Sequence, residues 1–380
     1  MINSKISSSI SEFLQTPEIL KFSKLFKNLE NFRFVGGVVR NLIMGLKVSD
    51  YDIATIYKPE EVIEYCKSNN IPCKPTGLAH GTVTVIIDKI PFEITTLRID
   101  IECDGRHATT AYTTSWEEDS SRRDFTINAM YLDFSGNIYD YHNGITDCNN
   151  RFVKFIGNPQ ARIEEDYLRI LRLFRFWAIY GSEPIEKQTL DICRETSKYL
   201  NIISPERIKN ELDKIIASPK FYETISILYE YKILDSLDYF KTIEIPKLSK
   251  EKLESPTLHR CYVYYILFHQ NDSLLKDFPF SKIEKTTISD FHKFSDQPIE
   301  FALYYNGFEF AYATAMIKGD TSLTLQYQHT STTLPVTNHD LISYGLKGSE
   351  ISKTKKALEI KWIESKFKIS KKSLLESIDN

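Results

Sequence analysis

The six cysteines of this 380-residue chain form no CxxC pair and lie scattered at positions 66, 73, 103, 148, 193 and 261. Such spacing argues against a zinc site and against a disulfide framework, so a reducing environment and a cytoplasmic location are expected. No apolar run reaches the length of a membrane span. The first fourteen residues are polar and Ser-rich, without the apolar segment of a secretory signal. No membrane partner and no obligatory protein partner are indicated.

The chain also lacks a basic excess. It has 48 Lys and Arg against 51 Asp and Glu, a net charge of −3 and a pI of about 6.3. A general nucleic-acid binder is usually basic, so any RNA surface must be a local patch. The segment 353–372 holds eight lysines against two glutamates. Its two interpretations are a solvated helix face and a tail that contacts phosphates.

The length favours two or more domains, and hydrophobic periodicity divides the chain into a mixed α/β first half and a helical second half. Runs rich in β-branched residues predict two strand pairs, Gly81–Asp88 with Pro91–Leu97, and Ala129–Phe134 with Asn137–Tyr141. Further strands are predicted at Phe32–Val35 and Ser49–Thr55. Helices are predicted at Glu18–Asn31, Val38–Leu46, Pro59–Ser68, from Arg162 to about Ala178, and at Pro205–Ile216 behind Ser204 as N-cap. Asp320–Thr337 is expected to be a loop.

A glycine pair followed by two aspartates is the first chemical pattern. Gly36 and Gly37 end a predicted strand and open a helix, which lets backbone N–H groups approach a phosphate. Asp50 and Asp52 are two apart on a predicted strand, so both carboxylates face one side. Two such carboxylates suit Mg²⁺ together with substrate phosphates. Glu93, on a neighbouring predicted strand, is either a third carboxylate of this group or an exposed strand residue.

The run RRDFTINAM (122–130) is the second pattern. Adjacent arginines at 122 and 123 can hold triphosphate oxygens with their forked donors. Asp124 and Asn128 are four apart and, if the run is helical, share a face that could bond a sugar hydroxyl. The alternative interpretation is a cluster of salt bridges.

The third pattern is EDYLRILRLFRF (165–176). On a continuous helix Asp166 and Arg169 share a face. Carboxylate beside guanidinium can meet the amine and the ring acceptors of cytosine or adenine, whereas guanine and uracil present a carbonyl to the carboxylate. The pair could therefore select C and A without a template. The alternative interpretation is an ordinary helix salt bridge.

In this order, the three patterns resemble the family of class II tRNA nucleotidyltransferases (CCA-adding enzymes) and bacterial poly(A) polymerases. The resemblance covers about residues 32–216 and is carried by the segments GGVVRNLIMG, SDYDIAT, HGTVTVIIDKIPFEITTLR, DGRHA, SRRDFTINAM, EEDYLRILRLFRF and ISPERIKNEL. It implies an α+β fold with an N-terminal nucleotidyltransferase head, a small mixed sheet with helices, followed by an all-helical neck, body and tail. We place the head at 1–150, the neck at 151–217, the body at 218–300 and the tail at 301–380.

The resemblance also implies roles for individual residues. Asp50 and Asp52 would be the catalytic aspartates and hold Mg²⁺. The nucleotide and its triphosphate would be bound by Gly36, Gly37, Arg40, Arg122, Asp124, Asn128, Glu165, Asp166, Arg169 and Arg172. Asp104, Gly105 and Arg106 fall in a flexible loop that members adding the final A require. The implied reaction adds CCA to tRNA from CTP and ATP. Poly(A) addition and a catalytically silent RNA-binding protein are the alternatives.

Overall fold

The computed structural model describes residues 4–103, 108–237, 248–268 and 278–378. The chain divides into two compact units, one ending at Leu237 and the other comprising residues 238–380. They are taken separately below.

A seven-stranded sheet in the order β3-β4-β5-β2-β1-β8-β9 organises the first unit, and β2 and β5 are its only parallel pair among the described strands. A separate hairpin pairs β6 with β7. The strands are β1 Phe32–Val35, β2 Tyr51–Thr55, β3 Cys73–Gly77, β4 Thr82–Ile87, β5 Ile90–Thr96, β6 Arg98–Cys103, β7 Ala108–Tyr112, β8 Met130–Leu132 and β9 Ile138–Asp140.

The helices of the first unit fall before, between and after these strands. They are α1 Ser4–Leu14, α2 Pro17–Leu25, α3 Gly37–Met44, α4 Pro59–Ser68, α5 Trp116–Ser121, α6 Gly144–Asn150, α7 Pro159–Glu165, α8 Arg169–Tyr180, α9 Lys187–Thr196, α10 Pro205–Ala217 and α11 Phe221–Glu230. Single 3₁₀ turns lie at Leu29–Asn31, Leu78–His80, Thr126–Asn128, Ser197–Ile202 and Leu234–Ser236.

The two faces of the central sheet differ in chemistry because side chains alternate along each strand. One face carries Phe34 and Phe92, against which Phe13 of α1 and Phe22 of α2 pack at ring-centroid distances of 5.0 and 5.2 Å. The opposite face carries Asp52, which is the register partner of Glu93 across the parallel β2–β5 pair. The apolar face therefore fixes the sheet, and the polar face presents its carboxylates.

The second unit is helical in its described part. Its helices are Pro256–Leu267, Lys282–Ser295, Ile299–Asn306, Phe308–Lys318, Ser322–Leu325, Asn338–Ser343, Ser349–Glu364 and Lys371–Glu376. The loop predicted at 320–337 contains only the four-residue helix Ser322–Leu325 and is otherwise irregular. Of all the described helices, none has the length and apolar character to span a membrane.

Several predicted elements differ from those observed. Strands β3, β6 and β7 and helix α1 were not predicted. The helix expected over Glu18–Asn31 ends at Leu25, and Asn28 adopts a left-handed conformation before a 3₁₀ turn. The strand expected from Ser49 begins at Tyr51. Pro59–Ser68 is observed as predicted, because Pro59 starts the helix and its apolar side chains Val62 and Cys66 are buried on one side.

A close backbone approach at Gly144 gives a first testable expectation. A Cβ at this position would lie 2.4 Å from the carbonyl oxygen of Thr126 and 2.9 Å from Met130 Cγ and Sδ. Since the Thr126 carbonyl is backbone, Gly144→Ala should lower the free energy of unfolding by about 1–3 kcal/mol. Urea denaturation measures this. Thr146→Ala, at an exposed position of the same helix, is the matched control and should stay within about 0.5 kcal/mol of wild type. Equal free energies of unfolding for the two variants would contradict the close backbone contact at Gly144.

Candidate active site

The chain turns sharply at the glycine pair between β1 and α3. Gly36 has φ +64°, where a side chain would be strained, and α3 begins at Gly37. The first N–H groups of an α-helix have no carbonyl partner within the helix, and the helix dipole favours an anion there. The turn and the helix start lie where the sequence predicted them, and contact of their backbone donors with a phosphate stays a prediction.

Two aspartates lie on the polar face of the sheet. Asp52 is on β2, and Asp50 directly precedes that strand and is exposed. Burial, together with the nearby carboxylates of Glu93 and Asp50, raises the pKa of Asp52 to about 6 against the opposing effect of Arg123 and Arg40. Concentrated negative charge of this kind is relieved by a bound cation.

The oxygen donors of this face fit a hard divalent cation such as Mg²⁺. Within the described ranges, however, no group of three or more His, Cys, Asp or Glu is close enough to hold a metal ion by itself. Phosphate oxygens of a nucleotide would therefore have to complete the coordination of any metal held by Asp50 and Asp52.

A buried aspartate that was not predicted as a site residue binds the side chains of both adjacent arginines. Asp119, on α5, is 1% exposed. Its Oδ1 accepts from Arg122 Nε and Nη2 at 2.9 and 2.8 Å, and its Oδ2 accepts from Arg123 Nε and Nη2 at 3.2 and 2.9 Å. The Tyr131 hydroxyl donates to Oδ2 at 2.7 Å. The salt-bridge interpretation of this run is therefore correct. The Nη1 group of each arginine takes no part in these bonds. Contact of these two groups with triphosphate oxygens stays a prediction.

Arg40 is 6% exposed and is fixed by neutral partners. Its Nη1 donates to Asn128 Oδ1 at 2.6 Å and its Nη2 donates to the Tyr180 hydroxyl at 2.8 Å. The guanidinium also lies 4.0 Å from the centroid of the Tyr180 ring. These contacts join α3 to the end of α8. Arg40 lines the pocket, but its Nη1 and Nη2 groups already donate to Asn128 and Tyr180. Contact between Arg40 and a triphosphate therefore stays a prediction.

The run around Asp124 does not form the helix on which a shared face of Asp124 and Asn128 depended. Asp124 precedes the 3₁₀ turn Thr126–Asn128, and its Oδ1 accepts from Phe125 N at 2.9 Å and from Asn128 Nδ2 at 3.2 Å. Its Oδ2 accepts from Arg172 Nε at 2.9 Å. Arg172 and these hydrogen bonds lower the pKa of Asp124 against the effect of its burial. The carboxylate thus joins this run to α8, and its bond to a sugar hydroxyl stays a prediction.

The helix predicted through Asp166 is broken at that residue. Helix α7 ends at Glu165 and α8 begins at Arg169, and Asp166 between them has φ −153° and ψ 105°. Hydrophobic periodicity does not reveal the break, because the buried side chains Ile163 and Leu171 keep helical spacing across it. The prediction that Asp166 and Arg169 share the face of one helix is wrong.

The partners of this pair also differ from the prediction. Asp166 Oδ1 accepts from Leu168 N at 3.1 Å, and Oδ2 accepts from Arg207 Nη2 at 2.9 Å. Arg169 instead forms an ion pair with Glu165 and donates to the Arg162 carbonyl at 2.8 Å. Arg207, on α10, was missed: it is 41 residues from Asp166 and no spacing rule connects them.

These side chains meet at one open pocket of about 530 Å³. It is lined by Gly36, Gly37, Arg40, Asp50, Asp52, Arg122, Arg123, Asp124, Asn128, Asp166, Leu168, Arg169, Arg172, Phe176 and Arg207. Of the predicted site residues in the described ranges, only Glu165 is not part of the lining, and it acts on the pocket through Arg169. Asp104, Gly105 and Arg106 lie outside the described residues. The volume is that of a small-ligand site.

One pocket thus combines a glycine turn at a helix start, the carboxylates of Asp50 and Asp52, and several arginines, an arrangement that suits a nucleotidyltransferase. In agreement, residues 32–154 match the family described as "Poly A polymerase head domain", and residues 184–239 match "Probable RNA and SrmB- binding site of polymerase A". The chain is 32% identical to the mouse (Mus musculus) mitochondrial CCA tRNA nucleotidyltransferase 1 over 98% of its own length and 92% of that protein. It belongs to the CCA-adding nucleotidyltransferase family of poly(A) polymerase-like enzymes.

One further relative and one solved structure are similar to this chain. The human (Homo sapiens) mitochondrial CCA tRNA nucleotidyltransferase 1 is 41% identical over 60% of this chain and 54% of its own length. The crystal structure of the Bacillus stearothermophilus CCA-adding enzyme in complex with CTP superposes with a TM-score of 0.71 at 21% identity, covering 96% of this chain and 98% of that one. This likeness confirms the α+β fold with a helical second half. Membership of the family also implies use of a divalent metal.

Proposed function

We propose that this enzyme adds the sequence CCA to the 3′ end of tRNA, using CTP and ATP. The single observation that carries the proposal is that Asp50 and Asp52 line the same pocket as Asp166 and Arg169. The names of the relatives supply the tRNA substrate, and the CTP complex of the bacterial structure supplies one of the two nucleotides. We also propose a division of the chain into four parts: the head at 1–150, the neck at 151–217, the body at 218–300 and the tail at 301–380.

We infer a direction for the nucleotide in the pocket from the charges of the lining residues. The triphosphate would lie against the start of α3 and the free edges of Arg122 and Arg123, where donors and positive charge converge. The base would then reach Asp166 and Arg169 at the other end. Asp166 would accept from the exocyclic amine of cytosine or adenine, and Arg169 would donate to a ring acceptor. Arg207 holds the Asp166 carboxylate in place for this contact.

The reaction is an attack of the RNA 3′-hydroxyl oxygen on the α-phosphorus, with loss of pyrophosphate. Asp50 and Asp52 would hold two Mg²⁺ ions, which supply positive charge to the attacking oxygen and to the phosphate oxygens. Arg122 and Arg123, oriented by Asp119, would bind the phosphates that leave. Asp124 and Arg172 would keep the run 122–130 fixed against α8, so that both ends of the nucleotide are held by one rigid wall.

An assay of nucleotide addition tests the proposal directly. Purified protein with Mg²⁺ would receive tRNA transcripts that end before CCA, after C and after CC, with labelled CTP, ATP or both. Growth by C, C and A followed by a halt is the expected result. Unlimited growth with ATP alone would identify a poly(A) polymerase. Addition of two C without A would show that the loop containing Asp104–Arg106 does not act as proposed.

Base choice should depend on the Asp166 carboxylate. Asp166→Ala removes the acceptor for the exocyclic amine, and a hydrogen bond to a charged group contributes about 1.5–3 kcal/mol. The preference for CTP over UTP, measured as a ratio of kcat/KM, should therefore fall by about 10-fold or more. Glu206→Ala, which removes an exposed carboxylate next to Arg207, is the control and should leave the ratio unchanged. An unaltered ratio in Asp166→Ala would place base selection elsewhere.

A further inference from the structure

A stacked pair of tyrosines is carried by segments that adjoin pocket residues in the chain, and it has no part in the chemistry above. Tyr167 follows Asp166 directly in the break between α7 and α8, and Tyr199 lies in the 3₁₀ turn Ser197–Ile202. Their ring centroids are 4.7 Å apart and the ring planes differ by 25°. This is the arrangement of two successive members of an aromatic stack.

The outer ring of the pair is presented to solvent. Tyr199 is 41% exposed, and neighbouring Ile202 is 44% exposed. Lys198 Nζ lies 5.0 Å from the centroid of the Tyr199 ring. An exposed ring next to an ammonium group is the combination that single-stranded nucleic acid uses, because the base stacks on the ring and the cation meets the backbone.

The charges around the inner ring favour a base rather than a phosphate there. Desolvation, Tyr199 and the carboxylate of Glu164 each raise the pKa of Tyr167 above its ordinary value, at which the hydroxyl is already protonated at neutral pH. Glu164 would repel a phosphate at this ring. The available interaction at the pair is therefore stacking, with the positive charge placed at the outer ring by Lys198.

The position of the pair decides which nucleic acid it meets. Asp166 lines the nucleotide pocket, and Tyr167 is its immediate neighbour in the chain. Tyr199 comes shortly before α10, which carries the pocket residue Arg207. An RNA whose 3′-hydroxyl must reach this pocket would bring its last unpaired nucleotides close to the segments that carry the two tyrosines.

Resting on the proposed function, we propose that Tyr167 and Tyr199 form a stacking platform for an unpaired base at the 3′ end of the RNA substrate. Lys198 contacts the adjoining phosphate. The platform lies outside the pocket for the incoming nucleotide, so it acts on the affinity for RNA and not on the affinity for CTP or ATP.

Removal of the outer ring tests the platform. Tyr199→Ala should raise the KM for tRNA about 10-fold, within the range found for loss of one base-on-aromatic stack, and leave the KM for CTP unchanged. Tyr199→Phe keeps the ring and should stay within about twofold of wild type in both constants. Tyr229→Ala, which removes a tyrosine of similar exposure on α11, is the matched control and should change neither constant.

Abasic substrates identify the stacked partner. tRNA transcripts with one abasic nucleotide at the last, second-last or third-last position are compared on wild type and Tyr199→Ala. At one position the missing base should weaken binding to wild type about 10-fold and have no further effect on the variant. Equal losses for both proteins at all three positions, or a KM for tRNA that Tyr199→Ala leaves unchanged, would overturn the platform.

Failure of the proposed function would look different. Wild type itself would then fail to extend the tRNA transcripts by C, C and A followed by a halt, whatever the state of residue 199. The affinity of the same abasic and intact transcripts, measured by fluorescence anisotropy without nucleotide, would still decide the platform. A rise in the KM for CTP equal to that for tRNA would indicate a distorted pocket and count against it.

Discussion

Asp52→Asn is expected to lower the rate of nucleotide addition at least 1,000-fold while leaving the protein folded. The substitution keeps the size of the side chain but removes one of the two carboxylates that line the pocket and would hold the cation. Electrostatic stabilisation of a transferring phosphoryl group is the largest contribution in this type of catalysis, so a partial loss is not expected. Single-turnover rates with CTP and a tRNA transcript ending before CCA measure the effect.

The same substitution should stabilise the metal-free protein. Asp52 has a pKa of about 6 in the folded state against an ordinary value of 3.8. A raised pKa means that the folded protein holds the proton more tightly than the unfolded chain. The stabilising contribution of protonated Asp52 is therefore fully present below pH 4 and is lost as pH rises through about 6. At pH 8 in EDTA, Asp52→Asn should therefore be more stable than wild type by about 1–3 kcal/mol, and the difference should shrink below pH 6.

These two results together separate chemistry from folding. Asp191→Asn, which removes a carboxylate on α9 outside the pocket, should change neither turnover nor the pH dependence. An Asp52→Asn enzyme with normal turnover would refute the assignment of the carboxylates. A variant that is inactive and also less stable at pH 8 would mean that Asp52 supports the sheet instead.

The strands that the sequence predicted best are those with an obvious two-residue alternation. β4 and β5 were predicted because β-branched residues alternate there around a turn, and their pairing follows from proximity in the chain. β3 was missed because CKPTG contains a proline and a glycine, and its five residues are exposed or partly exposed. A strand without a buried face carries no hydrophobic period to detect.

The site was predicted as far as its residues lie in short runs. The glycine turn and the two aspartates are local features, and the structure brings them to one pocket. The pairs Asp124–Arg172 and Asp166–Arg207 join residues 48 and 41 positions apart, and tertiary packing alone creates them. Asp119 is the exception, since its spacing of three and four residues from Arg122 and Arg123 is that of a helix ion pair.

Asp119→Asn is expected to lower the free energy of unfolding by about 3–5 kcal/mol, the effect found when one member of a buried charged group is removed. The side chains of Arg122 and Arg123 are only 15% and 18% exposed, so water cannot replace the lost carboxylate fully. The amide of Asn also places an N–H donor where Asp119 has an oxygen, so that one of the two arginines loses its acceptor. Denaturant unfolding at pH 7 measures the loss.

The pH dependence of this loss has the opposite sign to that of Asp52. Arg123 and Arg122 hold the pKa of Asp119 well below its usual range, against the desolvation that would raise it. A lowered pKa means that the stabilising contribution is present above about pH 4 and is lost as pH falls further. The difference between wild type and Asp119→Asn should therefore be constant from pH 5 to 8 and shrink in acid.

Activity shows whether Asp119 also orients the arginines for a phosphate. If the free edges of Arg122 and Arg123 bind the triphosphate, a folded Asp119→Asn enzyme should show a KM for CTP raised about 10-fold and a smaller change in kcat. Glu117→Gln, at an exposed position of the same helix, should alter neither stability nor KM. A destabilised variant with an unchanged KM for CTP would restrict Asp119 to folding, and the triphosphate would then have to be held by the start of α3 without the two arginines.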